Sequence, residues 1–340
     1  MAQHFQHPQR SPYGFTLQSK ALQSKTLQSE ALLGKVLVFG STVVDVVVKV
    51  PSLPSTAQDV NIISQHHQLG GCAYNVAHIL QLAHLPHQLC SPVGRGVYGE
   101  FVARSLQEKN IPIFAQLPSI ANGCCYCLVE PSGERTFLSH HGAEYLFQRE
   151  WFTQQVLEGA DSIYICGLEL EEETSADLVA FLEEQSQLQI FFAPGPRITT
   201  ISRDLLNRIF TLSPILHLNE EEAFSFTGAK SLQEALFLLH EKTGNDVIVT
   251  QGSRGASYIH QGKIHFIPGK KATVVDTIGA GDAHIGTIIA GIHLGMELPQ
   301  VLEIANAVSA AVVSVAGASL SQEAFHQATN NYFLSNEFHP

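Results

Sequence analysis

Two aspartates flank a run of small residues at Asp276-Thr277-Ile278-Gly279-Ala280-Gly281-Asp282, and this spacing suits chemistry on a phosphate. The preceding residues, from His265 through Pro268 to Val275, read as extended chain ending in a strand. Residues 283–294 are apolar, with small residues at helical spacing, and read as a helix. A helix begins with unpartnered N–H groups and a partial positive charge, so Gly279, Ala280 and Gly281 would let the backbone close on an anion. Asp282, at the same mouth, could accept the proton of an attacking hydroxyl while the turn stabilises the transferring phosphoryl group. Read alone, the segment is more readily a glycine-rich turn in which Asp282 caps the helix, and the rest of the chain reverses that preference.

The elements that must position these residues are legible in the apolar pattern. Runs rich in Val, Ile and Phe at 36–39, 88–92, 162–166, 190–193, 215–218 and 247–250 alternate with helical stretches. That predicts a mostly parallel sheet with helices on both faces, and ligands beyond the carboxyl ends of the strands. Two extended segments, about 58–69 and 124–140, interrupt the alternation. Residues 1–34 carry a five-residue repeat beginning at Leu17, Leu22 and Leu27, too short to build a solenoid, and are expected to be a disordered arm ahead of one domain over 35–330.

A second motif, Gly70-Gly71-Cys72-Ala73-Tyr74-Asn75-Val76-Ala77, pairs glycines that allow close approach with an amide that both donates and accepts. Together with the Asp276–Asp282 segment it resembles the two signatures of the PfkB, or ribokinase-like, carbohydrate kinases, in the family's order. The resemblance runs from about residue 35 to 325. It implies a three-layer α/β/α sandwich, with the extended segments at about 58–69 and 124–140 as a small β lid whose exposed edges suggest a homodimer formed through the lid. The same resemblance implies ATP- and Mg²⁺-dependent phosphorylation of a hydroxyl on a sugar or sugar-like molecule. It makes Asp282 the base and Gly279–Gly281 the anion hole, with the acceptor held by Asp45, Gly70, Gly71 and Asn75. Asn219, in Asn219-Glu220-Glu221-Glu222, and Thr250, Gly252 and Gly255 of the following segment would meet the nucleotide, with Thr277 and Asn306. Glu222 would act on Mg²⁺ through water, whereas Glu220 and Glu221 read as helix-dipole partners. Asp276, Ile278 and Gly317 would form the monovalent-cation site, for K⁺, that some relatives carry.

Several residues depart from the family pattern. His284 stands where relatives commonly carry Phe; it either senses ligand or packs as a helix-face ring, and packing is preferred. Glu144, in Gly142-Ala143-Glu144, replaces a common Asn, so no sugar contact is carried over to it. Arg135 either reaches a polar substrate or is a solvated hairpin charge. A nucleoside kinase is the neighbouring reading, with Tyr74, Tyr126 or Phe137 as a wall for the base, and a catalytically silent binding protein is the reading from another class. A dinucleotide-dependent dehydrogenase is disfavoured, because Gly40-Ser41-Thr42-Val43-Val44-Asp45 follows the first strand instead of Gly-x-Gly-x-x-Gly.

With 19 Lys and Arg against 31 Asp and Glu, the net charge is −12 and no basic block exists, which argues against nucleic acid as a partner. The 6 Cys and 17 His show no zinc-ligand spacing and no disulfide framework. No apolar run approaches the roughly 20 residues that span a bilayer, and the first residues lack a signal-peptide stretch. A soluble protein of the reducing cytoplasm, without a membrane partner, is expected.

Overall fold

The computed structural model describes residues 33–333. The expected arm therefore lies, apart from Leu33 and Gly34, outside the described residues. Eight strands form the central sheet in the order Lys263–Pro268, Gly255–His260, Val247–Thr250, Ile215–Asn219, Gln189–Ala193, Ala160–Cys166, Lys35–Phe39 and His87–Cys90. All neighbours from Val247–Thr250 onward pair in parallel; the first two strands add an antiparallel edge. The six apolar runs singled out from the sequence are the six parallel strands.

Those runs must be apolar throughout because both faces are covered. Val36 and Val38 enter one core, with helices Cys72–Leu82, Ala280–His293 and Leu298–Val312. Leu37 and Phe39, pointing the other way, enter a second core with helices Ser175–Glu184, Arg203–Thr211 and Leu232–Thr243. Alternation along a strand thus feeds two layers of helices, giving the three-layer sandwich. Strand Lys35–Phe39 lies between Ala160–Cys166 and His87–Cys90, so the chain departs from it in two directions. The crevice of such a sheet opens at the carboxyl ends of the strands where the order reverses.

A second sheet has the order Ser64–Gly70, Val43–Lys49, Cys124–Val129 and Arg135–His140. Two expectations are corrected here. The expected lid segment 58–69 is a strand only from Ser64, and the sheet gains an unforeseen strand, Val43–Lys49. Its valines resemble another core strand, but only Val44, Val46 and Val48 join the main core, while Asp45 projects from the opposite face. The chain before the anion turn is also not a strand. Regular pairing stops at Pro268, and Val275 and Asp276 donate their N–H groups to Val313 O (2.7 and 3.2 Å), at the end of a helix that leaves no sheet edge to join.

Candidate active site

Helix Ala280–His293 starts three residues earlier than its apolar run, which puts Asp282 in its first turn. Gly279 sits at the N-cap in the left-handed region, with φ 74°. A Cβ there would lie 2.4 Å from Ala318 Cβ, so conformation and contact both require glycine. Gly281 faces open space. No side chain caps this helix, so the Asp282 carboxylate is not spent on the helix end. Instead it accepts a hydrogen bond from Asn75 Nδ2 (2.8 Å). Desolvation raises its pKa to about 6, against the lowering effect of hydrogen bonds from Asn75 and Cys72. At neutral pH it is ionised and able to take a proton.

Asn75 is presented by helix Cys72–Leu82, which is entered through Gly71 at φ 100°. A Cβ on Gly71 would meet Ser41 O at 2.4 Å, and one on Gly70 would meet Asp45 Oδ2 at 2.1 Å. The paired glycines therefore exist to seat this turn against Ser41 and Asp45. Burial raises the Asp45 pKa to about 7; a hydrogen bond from Gln68 opposes the shift, and the charges of Asp282 and Asp276 add to it. Asp45, Asn75 and Asp282 thus converge as the motifs imply.

Sequence reasoning missed Glu169. It follows strand Ala160–Cys166, is 1% exposed, and accepts from Cys166 Sγ (2.8 Å) through Oε2, while Oε1 has no partner among the described residues. Burial raises its pKa to about 7. Ser41 Oγ, Thr42 Oγ1, Asn75 Oδ1 and Tyr164 Oη are likewise buried and without a partner among the described residues. Ser41 and Thr42 follow strand Lys35–Phe39, so these atoms gather near the strand ends where the order reverses. Buried polar atoms without partners are scarce in proteins, and a cluster of them calls for water or ligand hydroxyls. Glu144, also buried and with its pKa raised to about 7 by desolvation, has both oxygens taken by Gly123 N (2.8 Å) and Gly142 N (3.0 Å), so it clamps the root of the second sheet.

The remaining candidates lie at the ends of adjacent strands: Asn219 pairs in register with Thr250. Asn219 caps helix Glu220–Thr227 in a reciprocal box with Glu222, Asn219 Oδ1 accepting from Glu222 N (2.8 Å) and Glu222 Oε2 from Asn219 N (2.9 Å). Burial raises the Glu222 pKa. Thr250 leads into Gly252 (φ 58°) and Gly255 (φ 118°), where a Cβ would fall 2.1 Å from Ile267 O. Glu220 pairs with Arg254 and also accepts from Gln251 Nε2, tying the two segments together. Thr277 is exposed beside the anion turn.

Asn306, expected at the nucleotide, lies on helix Leu298–Val312 against the end of strand Lys263–Pro268. It is buried, and its Nδ2 donates to Ile267 O (3.3 Å) and Pro268 O (3.1 Å). Its Oδ1 must therefore accept from His284 Nε2 (3.2 Å), which leaves His284 Nδ1 to accept from His217 Nε2 (2.9 Å). Asn306 is a brace, and His284 packs on a helix face as preferred, wired between helix, sheet and edge hairpin. Desolvation lowers the His284 pKa to about 4 and that of His217 well below its usual value, so both are neutral. Because the unfolded chain takes up these protons first, their contribution to stability falls as pH drops below about 6.5 toward 4. Replacing His284 with Phe strands the His217 N–H and Asn306 Oδ1, and is expected to cost about 1–3 kcal/mol, read as a lower urea midpoint at pH 7.5.

A buried carboxylate held at a glycine-lined helix entry, beyond the carboxyl ends of a parallel sheet and beside a second small sheet, is the arrangement a small-molecule phosphotransferase needs. The family model described as pfkB family carbohydrate kinase matches residues 33–324. The chain is 33% identical over 286 residues to the uncharacterized sugar kinase YegV of Escherichia coli, covering 83% of this chain and 89% of that one. Ribokinase from Thermotoga maritima matches with a TM-score of 0.75 at 20% identity, over 89% of this chain and 100% of its own. A putative ribokinase II from E. coli, in complex with ATP and Mg²⁺, matches at 0.74 and 21% identity, over 88% and 100%. The chain belongs to the pfkB family of carbohydrate kinases and has the ribokinase fold.

Proposed function

We propose that the protein transfers the γ-phosphoryl group of ATP to a hydroxyl of a neutral sugar, with Asp282 as general base. The observation that carries this is the Asn75–Asp282 hydrogen bond beside a cluster of unpartnered buried acceptors. Asn75 Nδ2 holds the carboxylate, and its Oδ1, with Glu169 Oε1, is left to engage acceptor hydroxyls. Asp45 and the N–H groups near Gly70 and Gly71 complete that side. Because Asp45, Glu169 and Asp282 are all carboxyl groups, an anionic acceptor such as a sugar acid would be repelled.

The N–H groups of Gly279, Ala280 and Gly281 would receive the phosphoryl oxygens as charge develops on them. Asn219, Thr250, Gly252, Gly255 and Thr277 border the nucleotide side. Both Glu222 oxygens accept from Asn219, from its N (2.9 Å) and its Nδ2 (2.8 Å), which suits a carboxylate that would act through water on Mg²⁺ held chiefly by the phosphates of ATP. When bound, Mg²⁺ would offset the charge of the phosphates. The second sheet would be the lid that excludes water over the acceptor, and its exposed Tyr126, Phe137 and Leu138 are the surface proposed for a homodimer.

Nucleosides are the less favoured acceptors. Tyr74 is buried and stacked on His78, so it is not free to wall a base, which leaves Tyr126 and Phe137, exposed on the second sheet, as the candidates for that wall. ADP release with Mg–ATP, assayed across pentoses, hexoses, sugar acids and nucleosides, tests the reading. Turnover is expected on one or a few neutral sugars. Turnover confined to nucleosides or sugar acids overturns the substrate class; ligand-dependent stabilisation without any ADP favours a silent binder. With the competent acceptor, kcat/KM is expected to rise with pH through about 6 as Asp282 ionises. A rate flat from pH 5 to 8 would exclude Asp282 as the titrating base.

A further inference from the structure

Asp276, which opens the anion turn, is 4% exposed. Its Oδ1 accepts from Ile278 N (2.9 Å), and its Oδ2 from Gly317 N (2.7 Å). The same Oδ2 lies 2.8 Å from Arg135 Nη2, and the side chains of this ion pair are 13% and 3% exposed. Arg135 opens strand Arg135–His140 of the second sheet; it is neither a solvated hairpin charge nor placed as a substrate contact. A K⁺ site built from Asp276, Ile278 and Gly317 does not fit this arrangement. Both Asp276 oxygens are already taken by protein donors, Oδ1 by Ile278 N and Oδ2 by Gly317 N and Arg135 Nη2, and the guanidinium carries beside this carboxylate the positive charge a metal ion would bring.

We infer that Arg135 takes the place of a monovalent cation: from the lid it neutralises Asp276 and thereby sets the anion turn for phosphoryl transfer. This rests on the kinase reading above. Three parts of the fold meet at one carboxylate. Ile278 lies in the turn itself, Gly317 lies beyond helix Leu298–Val312, and Arg135 belongs to the sheet that also carries Asp45. Strand Arg135–His140 pairs with Cys124–Val129, which pairs with the Asp45 strand. Arg135 Nη1 also donates to Cys127 Sγ (3.7 Å), steadying the guanidinium against the middle strand. On the other side, a Cβ at Gly317 would lie 2.9 Å from Gln68 Oε1, and Gln68 hydrogen-bonds Asp45. The acceptor-holding carboxylate and the phosphate turn are therefore joined through both edges of one small sheet. A lid that closes over the acceptor delivers the charge that fixes the turn.

A buried carboxylate stripped of its counter-charge is destabilised and pulls away from its N–H donors. Arg135→Gln should therefore loosen the turn, and a small cation should refill the gap. The test compares wild type, Arg135→Lys and Arg135→Gln in choline, sodium and potassium chloride at equal ionic strength. Wild-type turnover should be the same in all three salts. Arg135→Gln should lose roughly 10- to 100-fold in kcat with a much smaller change in sugar KM, and potassium or free guanidinium should restore part of it. Arg135→Lys, which keeps a charge but not the fork, should fall between.

Two readouts need no turnover. Amide exchange at Ile278 and Gly317 should be about tenfold faster in Arg135→Gln, and potassium should raise the melting temperature of that variant but not of wild type. A wild type that requires potassium, or a glutamine variant with unchanged kcat and unchanged exchange, overturns the inference. If wild type turns over no acceptor, the kinase reading fails by itself, and the exchange and melting data still decide whether Arg135 stands in for the cation.

Discussion

Asp282→Asn is expected to lower kcat by roughly 10²- to 10⁴-fold while leaving Mg–ATP affinity within a few-fold, because only the proton acceptor is lost. The substituted amide can still accept from Asn75 through its oxygen, so the geometry of the two helix entries survives. Stability should not fall. Burial raises the pKa of Asp282 to about 6, so the ionised carboxylate is held in place at a cost to the fold at neutral pH, and a neutral amide relieves it. The melting temperature at pH 7.5 is therefore expected to equal or exceed that of wild type. Isothermal titration with a non-hydrolysable ATP analogue, together with single-turnover ADP release, separates the two effects. Retained turnover would move the role of base to another carboxylate on the acceptor side, Asp45 or Glu169. Lost nucleotide binding would recast Asp282 as a structural residue.

The parts of the molecule that could be read in advance are those in which local chemistry and global fold make the same demand. Strands covered on both faces have to be apolar at nearly every position, with an exception such as His217 partnered inside, so six short runs exposed the parallel part of the sheet. The glycines at 70, 71 and 279 were legible because close packing or a left-handed backbone admits little else. What escaped depends on contacts between distant segments. Glu169 stands in Glu169-Leu170-Glu171-Glu172-Glu173, which looks like a solvated acidic surface, and only the position of its strand beside Lys35–Phe39 buries it. One signal was available: it lies just past an apolar strand whose end borders the crevice. His284 could not be resolved locally because its partners, His217 and Asn306, are 67 and 22 residues away. Arg135 was ambiguous for the same reason, its partner Asp276 lying on another element. The strand before the anion turn was a false expectation, since Thr273-Val274-Val275 has strand composition but no free edge to pair with.

Glu169→Gln is expected to move stability and affinity in opposite directions. The folded-state pKa of Glu169 is raised from 4.5 to about 7 by burial. Between these values the unfolded chain has already released the proton that the native state keeps, so wild-type stability declines as pH rises through this window. The glutamine variant lacks that decline. At pH 8 it should be more stable than wild type by on the order of 1–3 kcal/mol, and at pH 4.5 the two should be nearly equal. Its amide oxygen still accepts from Cys166 Sγ, while the amide N–H2 that replaces Oε1 must find acceptors, which places the expected gain at the lower end of that range where it finds none. The same change removes the charged acceptor that Oε1 offers to a sugar hydroxyl. A hydrogen bond to an ionised group contributes about 1.5–3 kcal/mol, so KM for the acceptor should rise roughly 10- to 100-fold while KM for ATP is unchanged. Melting curves from pH 4.5 to 8 and paired KM measurements decide the matter. A variant that loses stability at pH 8 would show that Glu169 is part of the scaffold. One that gains stability with acceptor KM unchanged would show that the unpartnered oxygen faces water, and that the sugar hydroxyls are read by Asp45 and Asn75 alone.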